Sequence, residues 1–203
     1  MYPLYYYPNR PTLIPPDPLN PMNPASDYLN SLELSGKYVG EVKANGDNTL
    51  IYTGGGDAEL PAFWNRTHAR LNYRPVPGIL DELKIFPPNC VINAELMHNH
   101  TKTVKNKLIV HCIMVWENKP LIGKTWGESR YILESLNWDN HSHVILSELY
   151  YHGFWELFQR ADGIVTEGII LKDPLGKLQF CTTPSNDVSW MLKVRKPCKK
   201  YSF

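Results

Sequence analysis

An α+β fold dominated by antiparallel sheet is what this sequence predicts, and three observations lead there. From Lys37 onward the apolar residues fall in short runs, several rich in β-branched and aromatic side chains, with turn signals between them. Helix signals are confined to a few stretches between those runs, and the sequence carries no internal repeat. A chain of 203 residues suits one such domain, or one domain with a tail, and is long enough to bury a substantial core.

Residues 1–36 stand apart, because eight of the 17 prolines precede residue 25 and are interleaved with Tyr2, Tyr5, Tyr6 and Tyr7. Proline fixes φ and removes a backbone donor, so this extension is expected to be extended and to lie along the body. Its tyrosines would pack on the surface or stack on bases. Residues 37–203 form the domain proper. Tyr38–Lys43 and Thr49–Tyr52 read as strands flanking a Gly-containing turn, and 53–57, with three consecutive glycines, as a loop or hairpin apex. Pro77–Ile85 reads as a short helix, and Val91–Met97 and Leu108–Trp116 as buried strands. Thr125-Trp126-Gly127-Glu128 fits a capping box opening a helix to Leu136, and Phe154–Arg160 belongs to another helix. Gly168–Lys172 and Val188–Arg195 finish the chain as strands.

Twenty-one Lys and Arg against 20 Asp and Glu give a net charge of +1, so any nucleic-acid surface must be local. The four cysteines, Cys90, Cys112, Cys181 and Cys198, lie far apart with no Cys-x-x-Cys. That spacing disfavours zinc-ribbon and dithiol chemistry and suits reduced thiols in a cytosol-like compartment. No apolar run of membrane-spanning length and no basic-then-apolar leader is present, which predicts a cytoplasmic chain without a membrane partner. A monomer is the expected state.

The chemistry concentrates in four segments. Gly40-Glu41-Val42-Lys43-Ala44-Asn45-Gly46-Asp47-Asn48 places a lysine at a strand end before a turn. Alone, it would read as an ordinary exposed lysine. Asn93-Ala94-Glu95-Leu96 sets a glutamate on a strand about fifty residues later, Glu167-Gly168-Ile169-Ile170-Leu171-Lys172-Asp173-Pro174 follows a helix, and Trp190-Met191-Leu192-Lys193-Val194-Arg195 comes last.

Taken in order, these segments resemble the covalent nucleotidyltransferase superfamily of ATP-dependent DNA ligases, RNA ligases and mRNA capping enzymes. The resemblance runs from about Lys37 to Tyr201. Lys43 matches the nucleophile of the family's lysine-x-aspartate-glycine motif, Arg66 in Trp64-Asn65-Arg66 the arginine that follows it, and Glu95 the glutamate of a central strand. Glu167 to Lys172 matches the Glu-Gly-hydrophobic-hydrophobic-hydrophobic-Lys element, and Lys193 with Arg195 matches Lys-x-Lys. The resemblance implies a ligase-type, ATP-grasp-like domain of antiparallel sheets with flanking helices and no OB domain. It also implies that Lys43 takes AMP from ATP with Mg²⁺ as cofactor, that Glu41 reads the adenine amino group, and that Glu95 accepts a ribose hydroxyl. Arg66 and Asn48 would touch ribose or phosphates, Glu167 would hold the metal, and His111 would stand where relatives place a ring against the base. Surface carboxylates and a satisfied sheet histidine remain the plain alternatives for Glu41, Glu167 and His111.

The chemistry gives those cations a reason. A lysine attacks phosphorus only as the free amine, while an ordinary lysine titrates at about 10.4. Adjacent positive charge favours the free amine, so Lys172, Lys193, Arg195 and Mg²⁺ would serve both the nucleophile and the pyrophosphate leaving group.

The match departs from DNA ligases at Asn45 for aspartate, at Asn48 for arginine, and at Asn93-Ala94-Glu95 for Asp-Gly-Glu. Asn48 looks more like the RNA ligases, whereas Trp64–Thr67, Glu167–Pro174 and Trp190–Lys196 look like small bacteriophage-type DNA ligases. The expectation is a ligase with nicked DNA favoured. RNA ligation, capping guanylyl transfer and a non-catalytic nucleic-acid binder are the alternatives. DNA ligases of this group carry an OB-type domain after the last motif, so a separate clamp protein is an expected partner. The three lysines of 196–200 suit a phosphate backbone or an ordinary solvated end.

Overall fold

The computed structural model describes residues 10–14, 26–54, 61–67, 69–98, 104–179 and 187–196. Four strands build the first sheet: β1 (Arg10–Leu13), β2 (Val39–Ala44), β9 (Thr166–Lys172) and β10 (Asp187–Arg195), in the order β1-β10-β9-β2. The second sheet runs β4 (Ala62–Asn65), β3 (Asp47–Tyr52), β5 (Val91–Met97), β6 (Lys107–Trp116), β7 (Lys119–Pro120), with β8 (Val144–Leu146) parallel to β6. The remaining pairings are antiparallel except that of β1 with β10. Helices α1 (Ser26–Leu34), α2 (Pro77–Glu82), α3 (Trp126–Glu134) and α4 (Phe154–Arg160) flank the sheets. The predicted α+β class with dominant antiparallel pairing is thus the observed one, and none of the described residues forms an OB-type barrel.

Period-2 alternation sorts the side chains into layers. On the first sheet Ile169, Leu171, Leu192 and Val194 join Leu29 of α1 and Phe154, Leu157 and Phe158 of α4 in one apolar layer. Complete burial of Phe154 and Phe158 contributes roughly 1.5–3 kcal/mol each. The second sheet packs Ile51, Ile92, Leu96, Val110 and Ile113 against Ile79 of α2 and Leu133 of α3. Between the sheets, Val39, Trp190 and Met191 meet Leu50, Tyr52, Val91 and Cys112 with Trp126 of α3. The polar site occupies the rest of that inter-sheet space.

Local signals account for several boundaries. Thr125 Oγ1 accepts from Glu128 N (3.1 Å) and Glu128 Oε2 accepts from Thr125 N (2.7 Å), the reciprocal capping box read from the sequence. Pro77 opens α2, where its missing N–H costs nothing, and a 3₁₀ turn at Leu83–Ile85 completes that predicted stretch. Within the region expected to be extended, Arg10–Leu13 is indeed a strand, but Ser26–Leu34 is a helix. Prolines stop at Pro24, and the helix buries Leu29 completely against α4. The short strands β4, β7 and β8 have too few residues to show a period. Cys90 and Cys112 are free and buried. Most of the expected 53–57 apex, the N-terminal tyrosines, Cys181, Cys198, Lys199 and Lys200 lie outside the described residues. Among the described residues, no helix is long and apolar enough to cross a membrane.

Candidate active site

Lys43 stands near the end of β2, four residues before β3 begins, so the chain leaves one sheet and enters the other across Asn45-Gly46. Three hydrogen bonds hold this crossing. Asn45 N donates to Val165 O and its Nδ2 to Ile164 O, both at 2.9 Å, while Gly46 N donates to Glu95 Oε1 at 3.0 Å. A Cβ at position 46 would lie 2.6 Å from Leu96 O and 2.7 Å from Met97 Sδ, so the close approach of β5 requires glycine there.

Register then assembles the polar face. Glu41 and Lys43 on β2 pair with Ile170 and Gly168 on β9, and these with Lys193 and Arg195 on β10. Residues directly opposite share a face, so Glu41, Lys43, Lys193 and Arg195 look toward the second sheet. Strict alternation would send Glu167 the other way. Instead, Lys43 pairs with Gly168 and Ala44 with Thr166, leaving Glu167 as the extra residue of a β-bulge. The bulge brings Glu167 Oε1 into contact with Lys43 Nζ in a pair whose carboxylate is 3% exposed.

A second bulge shapes the opposing wall. Asn93 pairs with Cys112 and Ala94 with Val110, which leaves His111 unpaired on β6. Its Nδ1 lies 3.8 Å from Glu41 Oε2 and its Nε2 lies 3.9 Å from Glu95 Oε2, beyond hydrogen-bond range of either. Asn48 Oδ1 accepts from Asn93 Nδ2 at 3.1 Å, placing both on the wall beside Glu95.

Beneath the face lies a buried charge network. Lys172 Nζ donates to Glu41 Oε2 at 2.5 Å and sits 4.8 Å above the Trp126 ring. Ser147 Oγ donates to Glu41 Oε1 at 3.0 Å, and Arg130 reaches Ser147 Oγ (3.0 Å), Ser147 O (2.7 Å) and Glu134 Oε1 (2.8 Å). Burial alone would raise the Glu41 carboxyl, but the Lys172 ammonium, with His111 and Arg130, outweighs it and holds the group below the ordinary carboxylate value. Desolvation, then the charges of Arg10, Arg195 and Lys43, depresses Lys193 against the opposing pull of Asp187.

The structure thus gathers Glu41, Lys43, Glu95, His111, Glu167, Lys172 and Lys193 around one inter-sheet space, with Asn48 beside it. Arg195 is exposed at the end of β10, and Arg66 is exposed in the turn after β4 without a side-chain partner among the described residues. Sequence reading missed Arg130 and Ser147. The signal for Arg130 was available, because Trp126, Arg130 and Leu133 have the i, i+4, i+7 spacing of one helix face and an arginine on such a face is a buried-pair signature. Ser147 carries no comparable mark. Among the described residues, no group of three or more His, Cys, Asp or Glu side chains is arranged to hold a metal by itself.

Two bulged sheets facing each other across a lysine-bearing crossover define the class: this is the fold of ATP-dependent ligase nucleotidyltransferase domains. The ligase domain of M. tuberculosis LigD superposes with a TM-score of 0.57 at 15% identity, covering 78% of this chain and 53% of that one. A mycobacterial DNA ligase D complexed with ATP and MES gives 0.52 at 13% identity, covering 79% and 54%. A DNA ligase of the Lig E type, described as binding DNA with a minimal scaffold, gives 0.53 at 12% identity, covering 79% and 62%. The chain therefore spans between half and two-thirds of the length of these ligases. No family model matches the sequence, and no curated protein does.

Proposed function

We propose that this chain is the nucleotidyltransferase core of an ATP-dependent polynucleotide ligase, with nicked DNA its favoured substrate. One observation carries the reading: Lys43 emerges at the crossover between the sheets in contact with Glu167, with Lys193 and Glu95 around the same space. The similar fold of a DNA ligase D solved with ATP and of a Lig E DNA ligase supports ATP and DNA.

In the first step the Lys43 amine, freed of its proton and of Glu167, attacks the α-phosphorus of ATP. A P–N bond forms, the bond to the bridging oxygen breaks, and pyrophosphate leaves. In the second, an oxygen of a 5′-phosphate attacks the AMP phosphorus and the P–N bond breaks, returning the amine. In the third, a 3′-hydroxyl attacks the activated 5′-phosphorus and AMP departs. Lys193 and Arg195 offset the charge of the triphosphate and of the leaving group, while Lys172, paired with Glu41, holds that carboxylate in the nucleotide site. Glu41, whose two oxygens keep accepting capacity beyond Lys172 and Ser147, reads the adenine amino group, and Glu95 Oε2 takes a ribose hydroxyl. His111 faces the base; Asn48 and Arg66 meet ribose or phosphates.

Mg²⁺ fits this donor set, since at phosphate sites it binds through one or two carboxylates plus substrate phosphates and water rather than through a protein cage. Glu167 is the carboxylate that would hold it, and the ion would neutralise phosphate charge. Residues 37–203 are the adenylation domain and 1–36 an extension, in a cytoplasmic monomer. A separate clamp protein is a candidate partner in the sealing steps. Asn48, where DNA ligases have arginine, favours the second reading, an RNA ligase with the same first step.

Incubation with α-³²P-labelled ATP or GTP and Mg²⁺, followed by denaturing electrophoresis, tests the chemistry. A band labelled from ATP is expected, absent from Lys43→Ala protein that still folds by circular dichroism, and discharged by nicked DNA. Discharge by 5′-phosphorylated RNA instead would select the RNA ligase, and a label only from GTP a guanylyltransferase. No adduct with either nucleotide would overturn the enzyme reading in favour of a non-catalytic binder.

A further inference from the structure

The chain is nearly neutral as a whole, yet two stretches contain no acidic residue at all. Residues 61–76 carry Arg66, Arg70 and Arg74, and residues 98–107 carry Lys102, Lys105 and Lys107. Strand register brings the described parts of both to one place. Asn65 at the end of β4 pairs with Thr49, and Leu96 near the end of β5 pairs with Asp47, so the segments after β4 and after β5 leave the sheet at the edge where β3 begins. Lys107 returns β6 at that same edge, opposite Met97. It is also the edge that receives the Asn45-Gly46 crossing from Lys43.

Specific contacts lock the two segments together. Tyr73 OH donates to Asn106 Oδ1 at 3.2 Å, which joins the segment carrying Arg74 to the one carrying Lys105 and Lys107. The Tyr73 ring lies against His98, centroids 5.3 Å apart, and His98 Nε2 lies 2.8 Å from Asp47 Oδ2. Arg70, Asn72 and Tyr73 line a cavity of about 340 Å³. Arg70, Arg74 and Lys105 are exposed, and among the described residues neither they nor Lys107 make an ion pair. The neighbouring acids are occupied: Asp47 by His98, and Glu82 by the backbone N–H groups of Ser142, His143 and Val144. Unneutralised cations interleaved with an aromatic ring are the chemistry that grips a phosphodiester backbone and stacks a base.

We propose that the segment after β4, together with His98 and residues 105–107, is a docking surface for a polynucleotide strand. Arg70, Arg74 and Lys105 contact backbone phosphates and Tyr73 offers a stacking face, at the sheet edge that also receives the crossing from Lys43. The choice of ligand rests on the ligase reading, and the experiment separates the two. Binding of a 5′-phosphorylated nicked DNA duplex, and of the same length of RNA, is measured by fluorescence anisotropy across a salt series. The native protein is compared with the triple variant Arg70→Glu, Arg74→Glu, Lys105→Glu, and self-adenylation of both is followed in parallel. The variant should bind at least about tenfold more weakly, with the slope of log affinity against log salt reduced by about two to three. It should form lysyl-AMP at the native rate if the native protein does. Whichever nucleic acid binds more tightly identifies the strand. Equal binding by the two proteins, or no binding by the native one, overturns the docking surface whatever the adduct shows. Weakened binding without any adduct in either protein leaves the surface standing and sinks the ligase reading alone.

Discussion

Glu41 is 1% exposed, yet its carboxylate balances Lys172 and Arg130, themselves only 4% and 6% exposed. Removing one member of such a set leaves the others buried and uncompensated, at a cost of about 3–5 kcal/mol. Glu41→Gln should therefore lower stability by that order near neutral pH. Because the folded-state carboxyl lies below its ordinary value of 4.5, its contribution is complete above that value and is lost as pH falls through the depressed one. Urea midpoints measured from pH 7 to pH 3 should show the native and variant curves converging in acid. A gap that stays constant to pH 3 would show that Glu41 is not the linked group. The sequence marked Glu41 through its place two residues before Lys43. Its dependence on Arg130 and Ser147 is a tertiary fact, since those partners lie on α3 and just after β8.

At the scale of the element, the two bulges decide which side chains face the inter-sheet space. Period 2 applied to Glu167-Gly168-Ile169 would put Glu167 on the face of Ile169, in the apolar layer with Phe154. The bulge reverses this, and Gly168 makes it possible. With φ at 154°, Gly168 lets Val194 O approach to 2.0 Å from where a Cβ would stand, with the Arg195 Cα at 2.8 Å. Gly168→Ala should cost roughly 2–5 kcal/mol and shift β10 away from β9. Thermal unfolding reads the loss, and the rate of adduct formation reads whether Glu167 and Lys193 move with it. A variant as stable as the native protein would refute the close packing. The strands themselves were legible, because β-branched runs such as Val91–Met97 announce burial. The bulges were not, because an extra residue shows only when two strands far apart in sequence are laid side by side.

Across the whole molecule, the N-terminal segment is joined to the sheet that carries the site. β1 runs parallel to β10, Thr12 Oγ1 donates to Val188 O at 2.9 Å, Ile14 N donates to Lys193 O at 3.0 Å, and Ile14 is buried. Deleting residues 1–24 would bare the edge of β10 and remove the apolar cover of Ile14, a loss of about 2–4 kcal/mol. The truncated chain should melt about 5–15 °C lower and still form lysyl-AMP, because Lys43, Glu167 and Glu95 belong to strands it retains. Loss of the adduct in a truncation that remains folded would show that the segment serves the site and does more than brace it.

The sequence by itself determined the α+β class, the buried strands and the capped helix at Thr125, because those follow from local periodicity and caps; the motif residues were marked only by resemblance to the nucleotidyltransferase superfamily. Only the tertiary structure decided which sheet each strand joined, that Glu167 and His111 turn inward at bulges, that Lys172 neutralises Glu41 with Arg130 behind it, and that Tyr73 meets Asn106 and His98. These depend on register between distant segments, and register is set by how whole faces bury together, a quantity that no short window of sequence contains.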